Sequence, residues 1–310
     1  MAPQTAGPQN SRRKKIQMME KVLAIVVTYN AMPWIQKCLG SLRDSSVPVD
    51  VLVADNGSSD GTREYVRAHF PEAVLVCDDG NPGFGAANNK AFRYALGKGY
   101  DYVYLLNQDA WVEKDTIGKL LEAFHGKTEE YAILSPLQLD ASGKLDARFE
   151  DKCGKALKRA GFPRTGSADI VSVPFVMAAH WLLNCKAIRT IGGFSPAFRQ
   201  YGEDDNYIDR MHWRGLKAGV VTSAAAVHDR AGRTLPKDRR MRLKCVSSVV
   251  RMSDPGRCFA VEKAVEPLRL AGMAAKNFSC VPLRFIPELL SRCGELKEKR
   301  RESFETGAFL

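Results

Sequence analysis

Between Val22 and Leu106 the chain runs through four short aliphatic stretches separated by three segments of helical spacing, and this alternation limits the fold more than any other feature. The stretches are Val22–Val27, Val49–Ala54, Ala73–Cys77 and Tyr102–Leu106; the segments between them are Pro33–Leu42, Gly61–Phe70 and Ala86–Leu96. Strands this short, each followed by a crossover long enough for a helix, pair in parallel and bury both faces. The pattern predicts an α/β fold: a mostly parallel central sheet with helices on both faces. Ala132–Pro136 and Val220–Ser223 are predicted as further strands.

From about Pro236 the strand signals fade and basic residues interleave with apolar ones. Phe285, Ile286, Leu289, Leu290, Cys293 and Leu296 fall on one helical face. The expected organisation is a basic disordered N-terminus over 1–20, an α/β domain over 21–235 and a basic helical C-terminal extension over 236–310. The net charge is +11; residues 231–310 hold 17 basic and 9 acidic residues, so that segment alone carries +8. Such a segment suits phosphate or an anionic surface. No aliphatic run approaches the roughly 20 residues of a membrane span, and the first 20 residues lack an apolar core. The expected location is the cytoplasm, with a peripheral place on the cytosolic membrane face as the variant. Eight scattered cysteines with no C-x-x-C pair are read as free thiols.

Polar clusters stand at the carboxyl ends of all four strands, where an open parallel sheet binds its ligands. They are Thr28-Tyr29-Asn30, the run from Asp55 to Thr62, Asn81–Asn89 and Asn107-Gln108-Asp109. Asp55 can accept hydrogen bonds from a base or ribose, or serve a turn or helix cap. Gly83 and Gly85 let a backbone approach a ligand closely, or make a tight turn before a helix. Asp109, just past a buried strand, suits a hard divalent ion completed by phosphate oxygens. Glu203-Asp204-Asp205 follow Gly202. Three consecutive acids call for a cation or a catalytic task, unless they only decorate a helix N-terminus. His228 is a metal-ligand candidate by residue type. Neither a P-loop nor a G-x-G-x-x-G after the first strand is present, which argues against a P-loop NTPase and a nicotinamide dehydrogenase.

Seven motifs in order resemble the inverting family-2 glycosyltransferases of the GT-A fold, and within them the rhamnosyltransferase-like group. They are V-V-T-Y-N (Val26–Asn30), V-A-D-N-G-S-S-D-G-T (Val53–Thr62), N-P-G-F-G-A-A-N-N (Asn81–Asn89), L-L-N-Q-D (Leu105–Asp109), G-G-F (Gly192–Phe194), Y-G-E-D-D (Tyr201–Asp205) and V-H (Val227-His228). The resemblance spans roughly Val22 to Arg233. It implies that Thr28, Tyr29, Asn30 and Asp55 hold the nucleotide of a nucleotide-diphosphate sugar donor. Gly83, Phe84, Asn88 and Asn89 would line the floor under ribose and diphosphate, with Asn107 and Gln108 beside the donor. Asp109 would end a D-x-D-type motif and, with His228, meet Mg²⁺ or Mn²⁺. Asp204 would be the general base, with Glu203 beside it.

Two positions depart from the family pattern. Asn107 stands where the metal motif has its first acid, and Asp205-Asn206-Tyr207 follows where a further acid two places on is common. The Q-x-x-R-W signature and membrane spans of processive synthases are absent, which implies transfer of one or a few sugars. The expected reaction moves one sugar, best matched by rhamnose from dTDP-rhamnose, to a glycan or lipid-linked acceptor of a cell-surface polysaccharide. The alternatives are a UDP-sugar donor or an inactive nucleotide-sugar-binding subunit; a nucleic-acid partner is not expected, since no nucleic-acid motif is present. The extension is expected to meet an anionic membrane, or to form a homodimer contact, without joining the chemistry; the alternative is that its stripe simply covers the catalytic domain or a second subunit.

Overall fold

The computed structural model describes residues 20–163, 170–230 and 235–310. Of the N-terminal segment expected to be disordered, all but Glu20 lies outside them. The strands are β1 (Val22–Thr28), β2 (Asp50–Asp55), β3 (Val74–Cys77), β4 (Tyr102–Asn107), β5 (Ala110–Val112), β6 (Tyr131–Leu139), β7 (Ile170–Val173), β8 (His180–Asn184) and β9 (Lys217–His228). The helices are α1 (Ile35–Arg43), α2 (Thr62–His69), α3 (Phe84–Lys98), α4 (Thr116–Phe124), α5 (Ala147–Arg159), α6 (Cys185–Ile191) and α7 (Glu203–Trp213). Four more follow: α8 (Lys237–Ser253), α9 (Phe259–Asn277), α10 (Val281–Ser291) and α11 (Cys293–Glu302).

The nine strands form one sheet in the order β3-β2-β1-β4-β8-β6-β9-β5, with β7 paired to β9. The expected parallel sheet is its first half, where β1 pairs in parallel with β2 and β4, and β2 with β3. Strand β8 then runs antiparallel between β4 and β6, while β6 and β9 are parallel. Alternate residues of β1 serve opposite faces, as strand geometry requires. Leu23 and Ile25 pack under α3 with Ala91 and Phe92. Val22, Ala24 and Val26 pack on the other face with Ile35 and Leu39 of α1. All eight cysteines are free.

Strand order reverses beside β1, since the chain leaves it toward β2 on one side and β4 lies on the other. The crevice outside the carboxyl ends of such strands is the natural ligand site. Register sets Thr28 level with Asp55, and Val27 level with Asn107, so the polar clusters share one edge.

The apolar stripe of the C-terminal extension packs mostly against the chain itself, as its alternative reading has it. The stripe is divided between α10 and α11, and Phe285, Leu289 and Leu296 are buried with Phe198, Cys245, Val249 and Leu270. Its basic flank is also engaged: Lys299 pairs with Glu302, and Arg300 donates to the carbonyls of Asp254 and Pro255. Most of this stripe thus covers the rest of the chain, while Leu290 stays exposed. No helix among the described residues is long and apolar enough to cross a membrane.

Candidate active site

The strand-end clusters are joined to one another before any ligand is considered. Tyr29 N–H donates to Gln108 Oε1 at 2.7 Å, and Gln108 Nε2 donates back to the Tyr29 carbonyl at 3.2 Å. This pair stitches β1 to β4 across the crevice. Asp55 is buried and accepts from Thr28 Oγ1 (2.8 Å), Ser58 N (2.9 Å) and Arg63 Nε (2.5 Å). Burial alone would raise its pKa, but the donors of Ser58, Arg63 and Thr28 hold it below the usual carboxylate value. Its carboxylate therefore organises the loop under the crevice and is not among the cleft-lining groups. Asn30, with a left-handed φ of 53°, likewise serves the loop by accepting from Ser59 N at 2.9 Å.

The third cluster acts largely as a scaffold. Asn89 makes a two-way bond with Phe194, donating to its carbonyl at 2.8 Å and accepting from its N–H at 2.6 Å. This ties the Asn81–Asn89 motif to Gly192-Gly193-Phe194. Asn88 donates to the Phe84 carbonyl at 2.9 Å, and its Oδ1 is buried without a partner. Gly83 and Phe84 line the cleft. Gly83 has φ +94°, and a Cβ there would sit 2.1 Å from the Arg199 carbonyl oxygen. Protein packing against the 199 segment thus requires this glycine, whatever the ligand. Gly83→Ala is expected to cost at least about 1 kcal/mol, from strain at positive φ plus the clash. Gly97→Ala in α3, where a Cβ meets nothing within 4 Å, should be neutral or stabilising. Thermal melts of both variants check this; equal melting points would contradict it.

Asp109 and His228 are brought together by the short antiparallel ladder between β5 and β9. Ala110 pairs with His228, and Asp229 N–H donates to the Asp109 carbonyl at 2.8 Å. His228 Nε2 then lies 3.4 Å from Asp109 Oδ1, both side chains being almost fully buried. His228 Nδ1 is buried without a hydrogen-bond partner, and Nε2 is the nitrogen turned to Asp109. The donor set is one carboxylate and one imidazole, with Asn107 alongside in the cleft. No group of three or more His, Cys, Asp or Glu that could hold a metal occurs among the described residues. The set therefore fits a Mg²⁺ or Mn²⁺ site only if substrate phosphate oxygens complete it.

The acidic run opens α7, as the helix-terminus reading requires, and its first two acids also line the cleft. Gly202 is the left-handed N-cap, and a Cβ there would meet Val246 of α8 at 2.8 Å. Tyr201 before it also has positive φ, 69°. Glu203 and Asp204 both face the cleft. Burial, then the neighbouring Asp205 and Glu203, push the Asp204 carboxyl up to about 8. Burial, then Asp205, push Glu203 up to about 7. The helix dipole favours anions here, but desolvation and crowding of three acids outweigh it. Glu203 Oε2 is buried without a partner. A carboxyl titrating near neutrality in a cleft is suited to general acid–base work. Helix α7 is fixed from behind by Arg210, fully buried, which donates to the carbonyls of Ile191 (2.9 Å) and Gly193 (2.5 Å).

The cleft has a volume of about 1210 Å³, larger than the roughly 300–1,000 Å³ of most small-molecule sites. It has room for two substrates. Several lining residues were not singled out from the sequence. Arg148 and Arg230 also line it, Arg230 following His228 and bonded to Asp146 at 3.0 Å. The arginine two places after His228 was a legible signal. Arg239 and Arg242 of α8, Phe285 of α10 and Arg292 form the far wall. The extension thus borders the cleft.

Comparison with known proteins agrees with this geometry. The profile for Glycosyl transferase family 2 matches residues 23–192. The chain is similar to the N-acetylglucosaminyl-diphospho-decaprenol L-rhamnosyltransferase of Mycobacterium tuberculosis, with 29% identity over 244 residues, 70% of this chain and 78% of the relative. It is 34% identical to the undecaprenyl-phosphate mannosyltransferase of Micrococcus luteus over 106 residues, 33% of this chain and 44% of that one. Among solved structures, the mannosyltransferase PcManGT of Pyrobaculum calidifontis, in complex with GDP-Man and Mn²⁺, superposes with a TM-score of 0.53 at 17% identity, covering 96% of this chain and 94% of its own. The S. aureus TarS 1–349 structure with UDP gives 0.53 at 17% identity, covering 78% and 68%. These likenesses show a shared GT-A architecture.

Proposed function

The chain belongs to glycosyl transferase family 2, and on that premise we propose that it is an inverting, metal-dependent transferase moving a single sugar from a nucleotide-diphosphate donor to a lipid-linked or glycan acceptor. The observation that carries this reading is the cleft itself. It presents the Asp109–His228 pair and the near-neutral Asp204 and Glu203 to one enclosed space. The best-supported donor is dTDP-rhamnose, because a relative matched over 70% of this chain is an L-rhamnosyltransferase.

In this mechanism Thr28 and Tyr29 hold the nucleotide at the β1 end of the crevice, over the loop ordered by Asp55. Asp109 and His228 would hold Mg²⁺ or Mn²⁺. The bound ion supplies positive charge against the diphosphate. Arg148 and Arg230 add fixed positive charge for the leaving group. Asp204, once ionised, accepts the proton of the acceptor hydroxyl as that oxygen attacks the anomeric carbon. The attack comes from the face opposite the departing diphosphate, so one displacement inverts the configuration. Glu203 sits beside the base and keeps its proton affinity high. Asn107 contributes no charge, so Arg148 and Arg230 are the chain's own positive charge toward the diphosphate.

The acceptor occupies the far wall, where Arg239 and Arg292 stand near the apolar Leu243, Val249 and Phe285. This combination of charge and apolar surface suits an acceptor bearing a phosphate on a lipid. Arg239→Ala with Arg292→Ala should raise the acceptor KM about 10-fold or more, from the loss of charge-assisted bonds of about 1.5–3 kcal/mol each, and leave the donor KM unchanged. Initial rates with either substrate varied check this; an unchanged acceptor KM would contradict the assignment. The overall reading is tested by melting the protein with a panel of dTDP-, UDP- and GDP-sugars, with and without Mn²⁺. Stabilisation by at least one nucleotide sugar, enhanced by the ion, is expected; none with any member would contradict it.

A further inference from the structure

Helix α9 is amphipathic in the inverted sense. Its buried face carries Glu262, Glu266, Leu270 and Ala274. Glu266 has no exposed side-chain surface and is held by Arg251 at 2.6 and 2.8 Å and by Arg269, which also reaches Glu262 at 2.5 Å. The opposite face, at three- and four-residue spacing, is Val261, Ala264, Leu268, Ala271 and Ala275, all exposed and none charged. Charge turned inward and apolar surface turned outward needs a partner outside the chain.

The turn into α10 continues this surface. Phe278, at the left-handed C-cap of α9, is 94% exposed, and Leu268 is 72% exposed. On α10, Leu283 and Leu290 are exposed at 49% and 42%, and Pro287 lies between them on the same side. Five of the chain's exposed large apolar side chains, with Val261 at 54%, thus lie on this one helical hairpin. Residues 267–287 hold three basic residues, Arg269, Lys276 and Arg284, and no acid. Lys276 and Arg284, beside the tip, are exposed and enter no ion pair among the described residues.

We propose that the α9–α10 hairpin docks this protein on an anionic lipid surface, with Phe278 entering the interface and Lys276 and Arg284 meeting headgroup phosphates. Apolar side chains flanked by unpaired cations fit the boundary between acyl chains and anionic headgroups. A second copy of the chain fits less well. A self-complementary contact sets each patch against its own copy, and this patch would bring Lys276 and Arg284 together with no acid in 267–287 to offset them. Helix α10 connects the two functions. Its inward Phe285 lines the cleft, while Leu283 and Pro287 on either side face outward. A helix is about 10–12 Å across with side chains, so docking sets the acceptor wall one helix away from the lipid.

The test needs no sugar donor, so its outcome is independent of the transferase reading. Full-length protein is sedimented with vesicles of phosphatidylcholine and phosphatidylglycerol in equal parts, and with phosphatidylcholine alone. Binding to the first and far weaker binding to the second are expected. Phe278→Ser should weaken binding about 10-fold or more, and Lys276→Glu with Arg284→Glu about 30-fold or more. All three positions are exposed, so melting points should match the parent and confirm intact folds. Failure of the parent to bind the anionic vesicles overturns the proposal. So does parent binding that all the variants retain, which would locate the contact elsewhere. A fall in solution mass for Phe278→Ser, with no vesicle binding by the parent, would assign the face to a second copy instead.

Discussion

Asp204→Asn is expected to bind the nucleotide sugar as the parent does and to transfer sugar about 10²–10⁴-fold more slowly, the usual contribution of a positioned general base. The amide keeps the carboxylate's shape and cannot take the acceptor proton. Two further signatures separate this from general damage. The parent's kcat/KM should climb as pH rises toward about 8, since the attacking base must be ionised and burial with neighbouring acids holds the Asp204 proton to that value. The limb belongs to the coupled acidic group as a whole, and it should flatten in the variant.

Stability should move the other way. The folded-state pKa of Asp204 is raised above the ordinary aspartate value of 3.8, so the folded chain keeps a proton that the unfolded chain loses. Its favourable contribution is complete below about 3.8 and is lost as pH climbs to about 8. The variant should therefore melt increasingly above the parent as pH rises across that interval, a gain in stability bought with activity. Near-normal turnover of Asp204→Asn together with an inactive Glu203→Gln would transfer the base role to Glu203.

Asp109→Ala is expected to remove the metal dependence of donor binding while the sheet stays folded. Loss of an outer-shell partner of a metal already costs 10–100-fold, so loss of the carboxylate itself should slow transfer by at least about 100-fold. The measurement is donor affinity by calorimetry in Mn²⁺ and in chelator, for parent and variant. The parent should bind more tightly in Mn²⁺, and the variant equally in both. A variant that keeps the parent's Mn²⁺ enhancement would remove Asp109 from the site.

The parallel half of the sheet was legible in the sequence because each strand there is an aliphatic run followed by a polar turn and a helix. The remaining strands were harder to see. Strand β8 runs without a turn into α6, so His180–Asn184 reads as part of a longer apolar segment. Its one signal is Asn184, which caps α6 by accepting from Ala187 N at 2.7 Å. At the site, residue types singled out Asp109, Glu203, Asp204 and His228, which line one cleft together. They could not separate ligand-facing groups from scaffold. Asp55 and Asn89 have the chemistry of binding residues, yet their polar atoms are engaged by Ser58, Arg63 and Phe194. That assignment depends on long-range packing, which motif spacing does not encode. The C-terminal extension misled for a related reason. Its strongest helical stripe is the one buried against Phe198 and Val249, and the exposed one lies on α9, where alanines weaken the pattern.

The central claim is a single inverting displacement on a nucleotide-diphosphate sugar, and proton NMR of the reaction mixture tests it most directly. Purified chain is incubated with Mn²⁺, dTDP-rhamnose or a UDP-sugar, and a sugar-diphospho-lipid acceptor of short chain. The anomeric signals of donor and product are then followed together. The account predicts nucleoside diphosphate release matched by one product of opposite anomeric configuration, absent with Asp204→Asn. Retained configuration, or donors that bind and remain intact with every acceptor, would contradict it.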